Sequence, residues 1–372
     1  MIIIYMTTNK YENCNTNLSA SFDKLLLDDD NVKTQKFKNS LQDILKPFIF
    51  GYFNTEKCYR QSFFDDGEYI NLIQQTKKGS NRYIPLIEMG RKDGMSYNGQ
   101  SRVYFAWNYK SEAKSGFDAK IIKEFKTEID MKKTVNTFKY INKFYREKND
   151  IIKYYNSYDK YILLEWKENS INLDRFIELK ESYPINKIEL LKVFFKIVDA
   201  IGFLHSIGVA HRDIKASNFL IDVKNYTPTV IDFGYAVINE DLKNNNTFKV
   251  YDIKATPLYA APEIWSKKGY NPFKVDIYAL GLLLYSIWYG KNLYQINNVY
   301  VDNDKNIIVN GDDMYENLLT SNTDKFLIDD FIKDIVLGCC NIDPRKRISI
   351  KIIKKHLLLS INNILNSNIQ KH

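Results

Sequence analysis

The run His211-Arg212-Asp213-Ile214-Lys215-Ala216-Ser217-Asn218 constrains this chain more than any other feature. It follows residues 187–206, where Leu191, Phe195, Val198 and Ile201 fall on one face of a predicted amphipathic helix. Short strands are predicted near 219–221 and 229–231, and the second leads into Asp232-Phe233-Gly234. Phosphoryl transfer asks a protein for an aligned hydroxyl, metal on the phosphates, and positive charge near the transferring group. Asp213 can accept or orient a hydroxyl proton. Asn218 and Asp232 offer hard oxygen ligands of the kind Mg2+ takes. Lys215 can meet the γ-phosphate as a point charge.

The rest of the pattern changes along the chain. Residues 1–80 are polar, with a possible helix over 34–49 and no motif, and read as a partly ordered extension. From residue 81 to 166 the chain is strand-rich. Strands are predicted over 83–89, 102–107, 117–122 and 161–164, with a helix from Glu124 to about Arg146. Residues 167–360 are mostly helical, and 361–372 form a tail. A sheet-rich part followed by a helical part gives two lobes with a cleft between them.

His211 to Asn218 and Asp232-Phe233-Gly234 resemble the catalytic loop H-R-D-x-K-x-x-N and the D-F-G of eukaryotic-type protein kinases. Ala255 to Glu263 (ATPLYAAPE) resembles the substrate-positioning loop ending in A-P-E. Asp276 to Gly281 resembles the start of the central buried helix. Asp343-Pro344-Arg345-Lys346-Arg347 resembles the D-P-x-x-R of the last helices, where Arg347 pairs with Glu263. Five motifs in order make a chance match untenable, although any single acid among them would read as a surface charge or helix cap. The resemblance spans about Arg82 to Leu359. It implies an α+β, two-lobed fold: a small antiparallel sheet with one helix, a large helical lobe, and an ATP cleft between. It implies ATP and Mg2+, with Mn2+ as an alternative, and a protein substrate. Lys215 and Thr256 match the serine/threonine subclass, and tyrosine or dual specificity stays open.

The same resemblance assigns the remaining site. Phe117 to Ile122 is similar to the strand carrying V-A-I-K, which makes Lys120 the contact for the α- and β-phosphates. Lys123 is the alternative three residues on, and fits worse because the apolar pair normally follows the lysine. Asp118 then stands where the family has alanine against the adenine. Glu128 is the expected helix partner of the lysine, with Glu124 second. Lys132 then falls where an apolar residue should stack on Phe233. Gly90, Gly94 and Gly99 ahead of Val103 resemble a stretched glycine-rich loop. Leu164 is expected to guard the back of the adenine pocket, with Glu165 and Trp166 as the linker. Arg212, in the loop's second position, is often neutralised in the family by a phosphate on the segment from Asp232 to Glu263. Here Asp252, four before Thr256, is expected to pair with Arg212 instead, and Thr247 is the remaining candidate phosphosite.

The formal net charge of +8 comes from scattered lysines, which read as solvated surface; nucleic-acid binding is not indicated, although the basic balance leaves guidance to acidic protein segments or nucleic acid open. The 4 cysteines form neither a zinc spacing nor a disulfide framework, so a soluble, intracellular protein is expected. No apolar run reaches the roughly 20 residues that span a bilayer. Three readings follow: an active serine/threonine kinase; a pseudokinase serving as a binding or scaffold module; and a kinase for small molecules or lipids. The Thr256 to Glu263 loop argues against the last, because it positions an extended peptide.

Overall fold

The structure is a computed structural model and describes residues 83–89, 101–108, 119–144, 150–242, 245–265, 268–290, 299–301, 307–309 and 329–369. The expected helix over 34–49, the glycines Gly90, Gly94 and Gly99, and Asp118 lie outside them. The chain divides into two compact units, Met1–Ile122 and Lys123–His372. The division falls inside a strand, well ahead of the boundary expected at residue 166.

In the first unit, β1 (Tyr83–Met89) pairs antiparallel with β2 (Ser101–Asn108), and a bulge interrupts the register between Pro85 and Ile87. Val103 is half-buried on β2. β3 (Ala119–Phe125) carries the chain into the second unit. It begins two residues later than expected and ends three later, and this shift moves the site lysine.

The second unit follows local rules closely. α1 (Glu128–Phe144) starts four residues after the expected Glu124, because Glu124 and Phe125 still belong to β3. Thr127 opens α1 by accepting from the Asp130 amide at 3.1 Å. β4 (Tyr154–Tyr158) and β5 (Tyr161–Glu165) form a tight antiparallel hairpin whose turn puts Asp159 in the left-handed region. Next come β6 (Ser170–Asn172), the short α2 (Leu173–Glu178) and the long α3 (Lys187–Ser206). Asn186 caps α3 through the Glu189 amide at 2.9 Å.

The catalytic-loop region then runs through β7 (Val209–Ala210), β8 (Phe219–Asp222), β9 (Pro228–Val230) and β10 (Val237–Ile238). β8 lies between β6 and β9, and β7 pairs with β10. α4 (Pro272–Tyr289) is buried almost throughout, as its continuous apolar run requires. Asn271 caps it, Pro272 opens it, and Gly290 closes it at φ 73°. A small hairpin of β11 (Val299–Val301) and β12 (Ile307–Val309) precedes α5 (Asp330–Cys339) and α6 (Ile350–Ile369). α6 carries nine residues into the expected tail and buries Ile364 there.

α4 and α5 pack closely because Gly281 removes a side chain from their contact. A Cβ at Gly281 would lie 2.7 Å from both Cys339 Cβ and Cys340 Sγ. Gly281→Ala is therefore expected to destabilise the protein by about 1–3 kcal/mol through overpacking, read as a lower urea midpoint. Burial pushes the Cys340 thiol up to about 12 and raises Cys339 well above its ordinary value, so neither is a reactive thiolate. No helix among the described residues is long and apolar enough to cross a membrane.

Candidate active site

The loop after β7 is held from beneath by one acid. Asp276 on α4 is fully buried and accepts from the His211 amide at 2.8 Å and the Arg212 amide at 2.7 Å. It also meets His205 Nε2 at 2.8 Å. These bonds fix Arg212 at φ 66°, a left-handed conformation that a non-glycine residue adopts only when its surroundings enforce it. Burial lowers the pKa of His211, outweighing the nearby acids Asp276, Asp213 and Asp232. Its Nδ1 accepts the Asp213 amide at 3.3 Å, so the neutral ring carries its proton on Nε2.

Asp213 is gripped on both oxygens. Thr256 donates to Oδ1 at 2.6 Å, and Asn218 Nδ2 donates to Oδ2 at 2.8 Å and to the Asp213 carbonyl at 2.7 Å. Lys215 Nζ stands 2.9 Å from Asp213 Oδ2 and 2.8 Å from Thr256 Oγ1. This acid–lysine–amide–hydroxyl cluster has the chemistry to orient an alcohol beside a phosphate.

Asp232 enters from the strand side. The Ile231 amide donates to the Asn218 carbonyl at 3.1 Å, which sets Asp232 beside the loop. Asp232 Oδ1 receives the Gly234 amide at 2.9 Å and Lys123 Nζ at 2.8 Å. Burial alone would raise this carboxyl, but the Lys123 charge and these two hydrogen bonds hold it below its ordinary value. Asp232 Oδ2 and Asn218 Oδ1 make no hydrogen bond among the described residues. Two hard oxygens on adjacent segments, one anionic and one neutral, fit a divalent cation such as Mg2+.

Lys123, and not Lys120, is the lysine delivered to this cluster. With β3 running to Phe125, the apolar pair Ile121-Ile122 precedes the lysine instead of following it. The position two before the lysine then becomes half-buried Ile121, so Asp118 loses the place expected for it.

Glu128 and Glu124 face elsewhere. Glu128 pairs with Lys132 at 2.8 Å on the exposed start of α1, and Glu124 pairs with Lys160 at 2.6 Å. The α1 residue that meets Phe233 is Phe138, edge to face with ring centroids 5.1 Å apart, and not Lys132. One turn earlier on the same buried face is Thr134, whose hydroxyl donates to its own helix at the Asp130 carbonyl, 3.0 Å away.

The segment after Asp232 is fastened at Arg212. The guanidinium is buried and reaches Asp252 Oδ1 at 2.6 Å, Tyr270 Oη at 2.5 Å and the Tyr235 carbonyl at 3.3 Å. Tyr270 in turn donates to the Asp252 carbonyl at 2.9 Å, and Val250 and Tyr270 exchange backbone bonds at 2.9 Å. Tyr270 lies 18 residues beyond Asp252 and belongs to no motif, so no sequence signal marks it. Thr247 is exposed. At the far end of the segment, Arg347 grips Glu263 with two bonds, 2.6 and 2.7 Å, and stacks on Tyr278. In the linker, Leu164 is buried, and the Glu165 amide donates to the Lys153 carbonyl at 2.9 Å. Trp166 directly follows β5.

The family model for the protein kinase domain matches residues 100–359, more than half of the chain. The chain belongs to the protein kinase family. Several curated kinases are similar to it. The fatty acyl-CoA synthetase and RNA processing-associated kinase 1 of Saccharomyces cerevisiae is 28% identical over 326 residues, covering 82% of this chain and 36% of the relative. The serine/threonine-protein kinase ppk6 of Schizosaccharomyces pombe is 38% identical over 134 residues, 36% of this chain and 16% of the relative. The CBL-interacting serine/threonine-protein kinase 12 of Arabidopsis thaliana is 35% identical over 108 residues, 29% of this chain and 22% of the relative. This kinase-family chain spans well under half the length of these relatives.

Proposed function

We propose that this chain is an active serine/threonine protein kinase that transfers the γ-phosphate of ATP to hydroxyls of protein substrates. The observation that carries the reading is the convergence of Lys215, Asn218 and Thr256 on Asp213 within 2.9 Å. A scaffold needs no such constellation. Asp213 orients the attacking hydroxyl and takes its proton as the oxygen bonds to phosphorus and the bond to the ADP oxygen breaks. Lys215 places positive charge at the transferring phosphoryl. Lys123 serves the α- and β-phosphates in the role expected of Lys120. Asn218 and Asp232 would hold Mg2+, which would supply charge neutralisation on the phosphates. The backbone of Glu165 and Trp166 meets the adenine edge, with Leu164 behind it.

The second reading, a pseudokinase, draws on one observation: the buried face of α1 carries no acid, and the residue one turn before Phe138, which meets Phe233, is Thr134. Phosphoamino-acid analysis after incubation with Mg-ATP separates the readings. Phosphoserine or phosphothreonine is expected, and it should vanish in Asp232→Ala. Label confined to tyrosine contradicts the serine/threonine assignment, and no label at all favours the scaffold.

Asp252 stands in for a phosphate at Arg212 in this reading, so the enzyme works without modification of its segment. Asp252→Ala should lower kcat/KM for a peptide on the order of tenfold, the scale of one charge-assisted hydrogen bond of about 1.5–3 kcal/mol with part of it screened. Phosphatase treatment should leave the wild type unchanged. Equal activity of wild type and variant, both unphosphorylated, would remove Asp252 from the account.

A further inference from the structure

Among the described residues, Lys123 has one ion-pair partner, and it is a candidate metal ligand. The lysine is almost fully buried, with Nζ 2.8 Å from Asp232 Oδ1 and 5.2 Å from the Phe125 ring centroid. α1 cannot supply a competing charge. Its acids, Glu128 and Asp130, both lie in the first turn. Glu128 is committed to Lys132, and Asp130 Oδ2 accepts from the Thr127 hydroxyl at 2.7 Å. The buried face beyond them runs Met131, Thr134, Val135, Thr137, Phe138 and Ile141, with no ionisable group.

We propose that Lys123 is controlled by metal occupancy at Asp232 and not by helix α1. Without metal, Asp232 sequesters Lys123, because a buried ammonium without a counter-charge is expensive. When Asp232 and Asn218 take a divalent cation, the carboxylate's charge is claimed by it and Lys123 is free to pair with phosphate. Lys123 and the metal therefore share one counter-charge, and they respond to each other through it. The consequence is that nucleotide and metal bind with strong mutual dependence, while α1 contributes packing alone. This rests on the phosphotransferase reading of the site.

The test is equilibrium binding of fluorescent mant-ADP to the full chain, in Mg2+ and in EDTA, through a double-mutant cycle of Lys123→Met and Asp232→Asn. In EDTA, Lys123→Met should weaken wild-type binding by less than about twofold, because the lysine is already occupied. In the Asp232→Asn background the same change should weaken it about tenfold, the scale of a charged hydrogen bond. Asp232→Asn alone should tighten metal-free binding, a result that needs no lysine variant. Thr134→Val should stay within about twofold of wild type in both conditions, since its hydroxyl serves only its own helix. An equal effect of Lys123→Met in both backgrounds overturns the proposal, as does a loss of tenfold or more in Thr134→Val. Failure of mant-ADP to bind with Mg2+ present overturns the phosphotransferase reading itself. Mg2+-dependent binding without coupling overturns only the shared counter-charge.

Discussion

Under the proposed kinase reading, Asp213→Ala is expected to lower kcat for peptide phosphorylation by about 10²–10⁴-fold, the usual worth of a positioned general base. Nucleotide affinity should change far less, because the role proposed for Asp213 is to handle the hydroxyl and not the nucleotide. The same separation distinguishes this variant from one that merely loosens the loop. Asp213 is bonded to Thr256, Asn218 and Lys215, so Asp213→Asn is the gentler control. It keeps one acceptor oxygen for Asn218 and Lys215, turns an amide N–H toward the Thr256 hydroxyl oxygen, and removes the negative charge and the basicity. It should therefore lose nearly as much kcat as the alanine variant while unfolding at a similar urea concentration. A variant with kcat within a few-fold of wild type would take Asp213 out of the chemistry.

Arg347→Ala destabilises the protein by about 3–5 kcal/mol, the cost of removing one partner from a buried ion pair. The guanidinium is fully buried, bonds Glu263 at both oxygens, and donates to the Asn341 and Lys274 carbonyls at 2.8 and 2.9 Å. Removing it leaves the Glu263 carboxylate without its guanidinium, takes one donor from each of the Asn341 and Lys274 carbonyls, and strips the Tyr278 ring of its cation. Restoring an apolar match with Arg347→Met plus Glu263→Leu should recover a large part of the loss. Urea unfolding followed by tryptophan fluorescence measures both. A single-variant change under about 1 kcal/mol would mean that the pair is solvated in solution.

The parts of the site that were legible in the sequence are those carried by contiguous runs. His211 to Asn218 and Asp232 to Gly234 are local, and a loop and a hairpin bring them together with little room for error. Asp276 and the Glu263–Arg347 pair sit at fixed steps within recognisable runs. The misplaced residues are those whose position depends on where a strand ends. Lys120 and Lys123 lie on the same short strand, three apart and so on opposite faces, and only the true end of β3 decides which turns inward. Alternation offered a signal: Lys123 and Phe125 share a face, and both are buried. The register of α1 is obscured for a related reason: the helix carries no acid past its first turn, and the residue that marks its inward face is Phe138, a large aromatic at helical spacing in an apolar stripe. Tyr270 was invisible because its partners, Arg212 and Asp252, come from two distant segments and nothing in its own neighbourhood announces a ligand.

The two lysines of β3 offer the sharpest check of the catalytic assignment. Purified protein is incubated with Mg2+ and γ-labelled ATP on serine/threonine peptides, with Lys123→Met and Lys120→Met run in parallel. Label that persists in Lys120→Met and is lost in Lys123→Met is the result expected if Lys123, Asp232, Asn218 and Asp213 act together. Loss of label in Lys120→Met with retention in Lys123→Met would contradict the account.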